Sequence, residues 1–331
     1  MKETVANLRQ SSALIQFLAM GLVWGASFLF MKVALAGVSF GQVAWSREIL
    51  GALTLGVVML IGRRRLPRKG IVWFHFVVIA TTSCVIPHLL FAWAEQNVSS
   101  GLAAIYNSIT PLATGVLAAL VFRVERLAKG QVLGVVLGVL GVLVIIAPWQ
   151  RAALVGDLSG QIACIVAAVS YGVAFGYLRK FVSPRPIDGT TVAFMTIGVA
   201  AAIMIVLTPV LAIQPVKLDF WVIASLVLLG AFGTGFAYIW NIGVLRAWGP
   251  TNVSTVTYVI PVVAVILGVL VLGETFSWNE PAGAAMILVG ILFAQQRLRW
   301  GRASGGRIPV TEEDAALTAD APVEGRPIAR A

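Results

Sequence analysis

The distribution of apolar and polar positions is dominated by long, nearly unbroken apolar runs. We read ten of them, at about 13–35, 40–62, 71–92, 99–122, 130–148, 158–181, 189–213, 220–245, 250–272 and 279–299. Each approaches the roughly 20 residues that a helix needs to cross a bilayer, whereas barrel strands would be about half as long and would alternate. The connections are brief. The pattern predicts an all-α integral membrane protein with ten transmembrane helices. A short N-terminal segment (1–12) precedes the first run. After residue 300 the pattern ends, and the polar sequence "TEEDAALTADAPVEGRPIARA" predicts a disordered tail over 300–331.

Composition agrees. Of 331 residues, 59% are hydrophobic and 11% charged, with a mean hydropathy of +0.93, against about 25% charged in soluble domains. The formal net charge of +10 acquires meaning once it is sorted along the chain. The N-terminus, the loops at 63–70, 123–129, 179–188 and 246–249, and the C-terminal tail hold 20 of the 24 lysines and arginines. The opposite loops hold Arg151 and Lys217, and Lys32 and Arg47 lie within runs. Such asymmetry predicts cytoplasmic termini and an even number of spans. "GRRRLPRKG" at 62–70 is then a topology anchor, not a nucleic-acid patch. "ALAG" at 34–37 resembles a signal-peptidase site, but the run before it is longer than a signal core, so the first helix is expected to be retained.

Cys84 and Cys164 both fall inside predicted spans, which excludes a disulfide scaffold. His75 and His88 are the only histidines. No metal-ligand spacing, phosphate loop or ATP-binding domain is present, so no cofactor is expected.

The chain repeats itself. Aligning "AIYNSITPLATGVLAALVFRVERLAKGQVLGVVLGVLGVLVI" with "STVTYVIPVVAVILGVLVLGETFSWNEPAGAAMILVGILFA" places Pro111 on Pro261. After a one-residue gap, Glu125 falls on Glu274, Gly134 on Gly283 and Gly141 on Gly290. Aligning 23–32 with 170–179 places Trp24 on Tyr171, Gly25 on Gly172, Phe28 on Phe175 and Lys32 on Arg179. Five runs per half put the halves in opposite orientations, which predicts an inverted repeat with a substrate site between them. The repeats are expected at 13–149 and 156–299.

"GDLSGQIACIVAAVSYGVAFGYLRK" (156–180) resembles the opening of the second repeat in EamA-type members of the drug/metabolite transporter superfamily. "LLFAWAEQNVSSGLAAIYNSITPL" is similar to that family's third-to-fourth helix segment. "VIPVVAVILGVLVLGETFSWNEPAGAAMILVGI" resembles its ninth and tenth helices, and Arg47 in "AWSREIL" matches a basic residue common in its second helix. The resemblance covers about residues 13–297. It implies the ten-helix fold and transport across a bacterial inner membrane. It also implies that His88 occupies the place where bacterial amino-acid exporters carry a cavity histidine. Those exporters have aromatic residues just before the helix-four proline, where this chain has Ser108 and Thr110.

Several residues are candidates for lining a substrate cavity. His88 and Tyr106 lie at similar depth in an antiparallel hairpin. Ser100, Asn107, Thr110 and Thr114 form a polar helical stripe, with Tyr106 and Ser108 flanking it, and Thr251, Ser254, Thr255 and Tyr258 repeat it in helix nine. Polar residues within spans are expected to face the bundle. Trp24 and Tyr171 occupy matching interior positions beside glycines, Tyr238 and Trp240 are further aromatic candidates, and Asn241 supplies an amide. Trp93 and Trp149 suit the interfacial belt. Pro111 and Pro261 lack a backbone donor and are expected to mark bends. Glu95 to Ser100 are expected in a water-exposed turn, and Ser99 to Gly101 start helix four. Lys32 is expected to snorkel. Arg47 and Glu48 point about 100° apart, so Arg47 is expected to bind elsewhere in the bundle or to an anionic group. No chain of carboxylates resembling a proton relay is visible. "GVVLG" at 134–138 is expected to pack helices within one protomer.

These features predict a monomeric secondary transporter, surrounded by lipid, that exports amino acids or related amphipathic metabolites by alternating access. A multidrug exporter of organic cations is the alternative, for which acidic cavity residues are few. No nucleophile–base or metal constellation points to an enzyme.

Overall fold

The computed structural model describes residues 2–68, 70–124, 127–149 and 158–295. The expected tail from 300, Glu125, Arg151 and the side chain of Thr251 lie outside the described residues. Among those described, the chain is all-helical. The rods are α1 Lys2–Ala34, α2 Phe40–Ile61, α3 Gly70–Ala94, α4 Ser100–Leu120, α5 Lys129–Ile146, α6 Leu158–Phe181, α7 Gly189–Val206, α8 Phe220–Gly249, α9 Val256–Leu272 and α10 Asn279–Ala294. Eight are long and apolar enough to cross a membrane, and α9 and α10 are shorter. Large apolar side chains such as Leu60, Val206, Val210, Phe220, Trp221 and Leu270 face outward, as a lipid-embedded surface requires.

Helix starts follow from capping side chains. The Ser39 hydroxyl accepts from Gln42 N while Gln42 Oε1 accepts from Ser39 N. Ser99 caps α4 through Leu102 N at 3.2 Å, and Asp219 caps α8 through Val222 N at 2.8 Å. Each satisfies a backbone donor that has no partner inside the helix.

The interiors of several rods are less regular than their apolar pattern predicts. α3 contains a π-helical stretch, Thr81–Val85, and α8 contains one at Leu228–Phe236. These occupy the third span and the eighth, which correspond in the repeat. α4 is interrupted at residues 108–109, just before Pro111, because proline supplies no N–H and its ring crowds the preceding turn. Pro261 behaves differently. It lies within continuous α9, and the interruption comes earlier, at residues 254–255. There Thr255 Oγ1 and Thr257 Oγ1 bond the carbonyls of Asn252 and Ser254, competing with the helix ladder. The symmetric bend expected at both prolines is therefore found beside one of them.

Packing is reciprocal between the halves. A methyl group on Gly141 of α5 would sit 2.7 Å from the Gly283 carbonyl oxygen of α10, and one on Gly290 would sit 2.6 Å from the Gly134 carbonyl. These helices run antiparallel with their backbones in contact, and Asn279 Nδ2 donates to Ile145 O at 2.7 Å beside them. Gly138 packs on Leu112 of α4, so the glycine motif is used inside the chain. Likewise Gly25 of α1 abuts Ile260 and Val263 of α9, while Gly172 of α6 abuts Ala113 and Thr114 of α4. Since Gly25 aligns with Gly172 and Val263 with Ala113, the contacts are interchanged by a two-fold relation.

The turn after α3 departs from expectation. Gln96 and Asn97 are exposed, but Glu95 is fully buried. Lys32 does not snorkel, because its Nζ donates to the carbonyls of Glu95 and Val98. It thereby neutralises chain-end oxygens that the helix leaves unpaired.

Candidate functional site

A cavity of about 260 Å³ lies among α1, α2, α3, α4, α6, α8 and α9. Its walls are mostly apolar, with Phe28, Met31, Phe91, Phe175 and Ile260 among them. Trp24, Tyr171 and Tyr238 add aromatic surface, and Asn107, Ser108, Thr110, Asn241 and Thr257 add polar groups. Arg47 and His88 bring ionisable side chains to the wall.

Both π-helical stretches bond side chains at or beside this cavity. A π turn widens the helix and displaces backbone groups from the regular ladder, and such turns are frequent at functional sites. In α8, Gly233 O accepts from Trp24 Nε1 at 3.0 Å, and Thr234 Oγ1 accepts from Arg47 Nε at 3.0 Å. In α3, Thr82 O accepts from Ser170 Oγ of α6 at 2.7 Å, six residues before His88. The rings form a connected group. Trp24 meets Tyr238 edge-on at 6.2 Å, and Tyr171 lies between His88 at 6.4 Å and Phe175 at 6.2 Å.

The electrostatics centre on three side chains. Arg47 donates to Thr234 and approaches Met31 Sδ at 4.0 Å, and among the described residues no carboxylate pairs with it. Glu48 turns away from its neighbour and into the protein, where Oε1 contacts His88 Nδ1. Glu48 is 0% exposed and His88 5%. Among the described residues Glu48 Oε2 has no hydrogen-bond partner. A buried acid–base pair therefore stands behind the wall, with His88 reaching through to the cavity.

Of the sequence candidates, Trp24, His88, Asn107, Thr110, Tyr171, Tyr238 and Asn241 come together at the cavity. Tyr106, Trp240 and Tyr258 do not line it. Tyr106 is fully buried and donates to Gln161 Oε1 at 2.7 Å. Trp240 stacks on Phe236 at 6.2 Å. Tyr258 donates to Gln295 Oε1 at 2.7 Å, at the end of α10. The polar stripe of α4 also divides. Ser100 is held by Glu274 at its start, Thr114 Oγ1 bonds the Thr110 carbonyl, and Asn107 and Thr110 reach the cavity. Thr110 Oγ1 is buried there with no hydrogen-bond partner among the described residues. Sequence reasoning missed the Glu48–His88 pair, whose members are 40 residues apart. The intramembrane charges Arg47 and Glu48 were the signal available.

Comparison with known proteins places this geometry in context. The EamA-like transporter family matches residues 11–147 and again 158–295. An uncharacterized transporter of Archaeoglobus fulgidus is 28% identical over 270 residues, covering 81% of this chain and 93% of the relative. A probable amino-acid metabolite efflux pump of Salmonella typhimurium is 27% identical over 306 residues, covering 86% and 96%. A crystal structure at 22% identity aligns with a TM-score of 0.58 over 87% of this chain and 98% of the other, which shows the same fold.

Proposed function

The chain belongs to the EamA-like transporter family, and from that premise we propose that it exports small amphipathic metabolites, amino acids foremost, through the cavity between its repeats. In this reading all ten helices cross a bacterial inner membrane, the two five-helix repeats are inverted, and both termini are cytoplasmic. The antiparallel, reciprocal contacts of α5 with α10 support the inversion, since equivalent helices related by an axis in the membrane plane run in opposite directions. Alternating access then consists of the halves rocking about the cavity, with α4 bending at its break.

One observation carries the substrate class. Arg47 faces the cavity with no carboxylate partner among the described residues, while the nearby carboxylate, Glu48, is engaged by His88. An arginine so placed offers a planar fork for a carboxylate and repels an organic cation. Asn107, Thr110 and Asn241 offer hydrogen bonds to a polar head group, and the aromatic wall receives an apolar side chain. The volume, about 260 Å³, is below the roughly 300–1,000 Å³ of drug-sized sites. The Salmonella relative's description points the same way. The aromatic group of Trp24, Tyr171 and Tyr238 favours the second reading, organic-cation export, through cation–π contacts.

Liposomes holding the purified chain and unlabelled amino acids should take up labelled amino acids by counterflow. Absence of counterflow across amino acids and related carboxylates, with resistance to organic cations on expression, would reverse the two readings. The topology is checked separately. A cysteine introduced near Asp219 should react with an impermeant reagent from outside, and one near Arg65 should not.

A further inference from the structure

We infer that the Glu48–His88 pair is a proton site in direct competition with the ammonium group of a zwitterionic substrate, so that the protein exchanges one proton for each amino acid exported. This rests on the amino-acid reading above.

The geometry divides the imidazole into two ends. Nδ1 is committed to the Glu48 carboxylate, which makes Nδ1 the protonated nitrogen of the neutral ring and leaves a lone pair on Nε2. His88 lines the cavity, and among the described residues no hydrogen bond is formed by Nε2. With its carboxylate on Arg47, a substrate can place its ammonium group against Nε2, which accepts one hydrogen bond. A proton arriving from the cavity adds to the same lone pair. The ring is then an imidazolium held by Glu48, with donors on both nitrogens and no acceptor left for an ammonium group. The two cations therefore exclude each other at one atom.

The surrounding groups leave this choice to the pair. Tyr171 on α6 meets His88 edge-on at 6.4 Å, Cys84 is buried in the π turn of α3, Tyr238 on α8 lines the same cavity, and thiols and phenols ordinarily titrate above neutrality. Glu95 lies apart, in the turn after α3, where its carbonyl accepts from Lys32. The unpartnered Glu48 Oε2 gives the carboxylate spare capacity to hold the added charge.

The cycle balances. In the outward-open state the zwitterion departs and Nε2 takes a proton from outside water. In the inward-open state Nε2 returns that proton to the cytoplasm and the next zwitterion binds. One positive charge moves inward and none outward, so both a pH gradient and a membrane potential drive export.

The test uses the full chain in liposomes with the potential clamped. An acid interior should drive uptake of labelled amino acid above equilibrium, and an internal dye should report alkalinisation when amino acid is added outside. Lack of counterflow would sink the amino-acid reading and the exchange together. Counterflow without accumulation or proton movement would sink the exchange alone. Glu48→Gln should lose accumulation at least about tenfold relative to its own counterflow rate, since competition for a shared site is reciprocal. Retention of the wild-type ratio would remove the pair from the mechanism. If that variant does not fold, wild-type binding decides. Apparent Kd for a neutral amino acid should be level near neutrality and then rise, by up to about tenfold per unit, as pH falls below about 6, where a histidine site fills, and a Kd that stays flat down to about pH 4 would overturn the proposal.

Discussion

Arg47 Nε donates to Thr234 Oγ1 at 3.0 Å, joining α2 to the π-helical stretch of α8 across 187 residues of sequence. The bond aims the guanidinium along the cavity wall, and among the described residues its other donors meet only Met31 Sδ, at 4.0 Å. A hydrogen bond to a charged group contributes about 1.5–3 kcal/mol. Arg47→Gln should therefore weaken binding of a carboxylate substrate by about 10- to 150-fold. Arg47→Lys should recover only part, because a point charge lacks the fork. Isothermal binding to purified protein measures both, and unchanged affinity would remove Arg47 from the site.

The buried pair makes His88 more than a cavity contact. His88→Ala removes a substrate contact and also leaves Glu48 buried without its partner, at a cost of about 3–5 kcal/mol for such pairs. A double change, Glu48→Leu with His88→Leu, removes both ends and should unfold later than His88→Ala. Thermal melting in detergent compares them. Equal melting of the two variants would mean that the pair is not energetically coupled.

Pro111 follows a break in α4 and Pro261 does not interrupt α9. Pro111→Ala should restore helix across the break and slow turnover while equilibrium affinity holds. Pro261→Ala should have the smaller effect on rate. Flux and binding measured on both variants decide, and equal slowing would return the hinge to both helices.

Glu274 joins the end of one repeat to the other. It accepts from Ser100 N at 2.7 Å, Ser100 Oγ at 3.0 Å and Gly101 N at 3.1 Å, a carboxylate placed on the positive end of α4. Glu274→Ala should lower stability by about 2 kcal/mol, and Glu274→Gln by less. Chemical denaturation in detergent would detect this, and no change would mean water replaces the carboxylate without cost.

Asp188, just outside α7, makes folding stability depend on pH at the acid end. Burial pushes its carboxyl up, but bonds from Thr191 and Thr190 and the Arg64 guanidinium outweigh it, leaving the group below the usual carboxylate range. The charged form is thus favoured by folding. Its contribution is present above the unfolded value, near 3.9, and is lost as pH falls through the lower folded value. Asp188→Asn should flatten the acid side of the stability curve. An unchanged slope would assign acid sensitivity to other carboxylates.

Membrane residence, the helical class and the duplication are legible in the sequence because they are one-dimensional. Bilayer thickness sets the length of an apolar run, and a repeat survives as spacing between Pro111 and Pro261 or Gly25 and Gly172. Trp24, His88, Asn107, Thr110, Tyr171, Tyr238 and Asn241 lie at the cavity for a related reason, since groups that carry polar atoms on a span turn inward. The remainder depends on rotation and register, which apolar composition does not encode. One residue along a helix turns a side chain by about 100°, enough to send Tyr106 to Gln161 while Asn107 faces the cavity. Glu48 and His88, or Arg47 and Thr234, are brought together only when α2, α3 and α8 pack. The π turns that set their positions leave no apolar periodicity to read. Nor does burial of Glu95 follow from its place in a turn, since it depends on how neighbouring helices close over that turn.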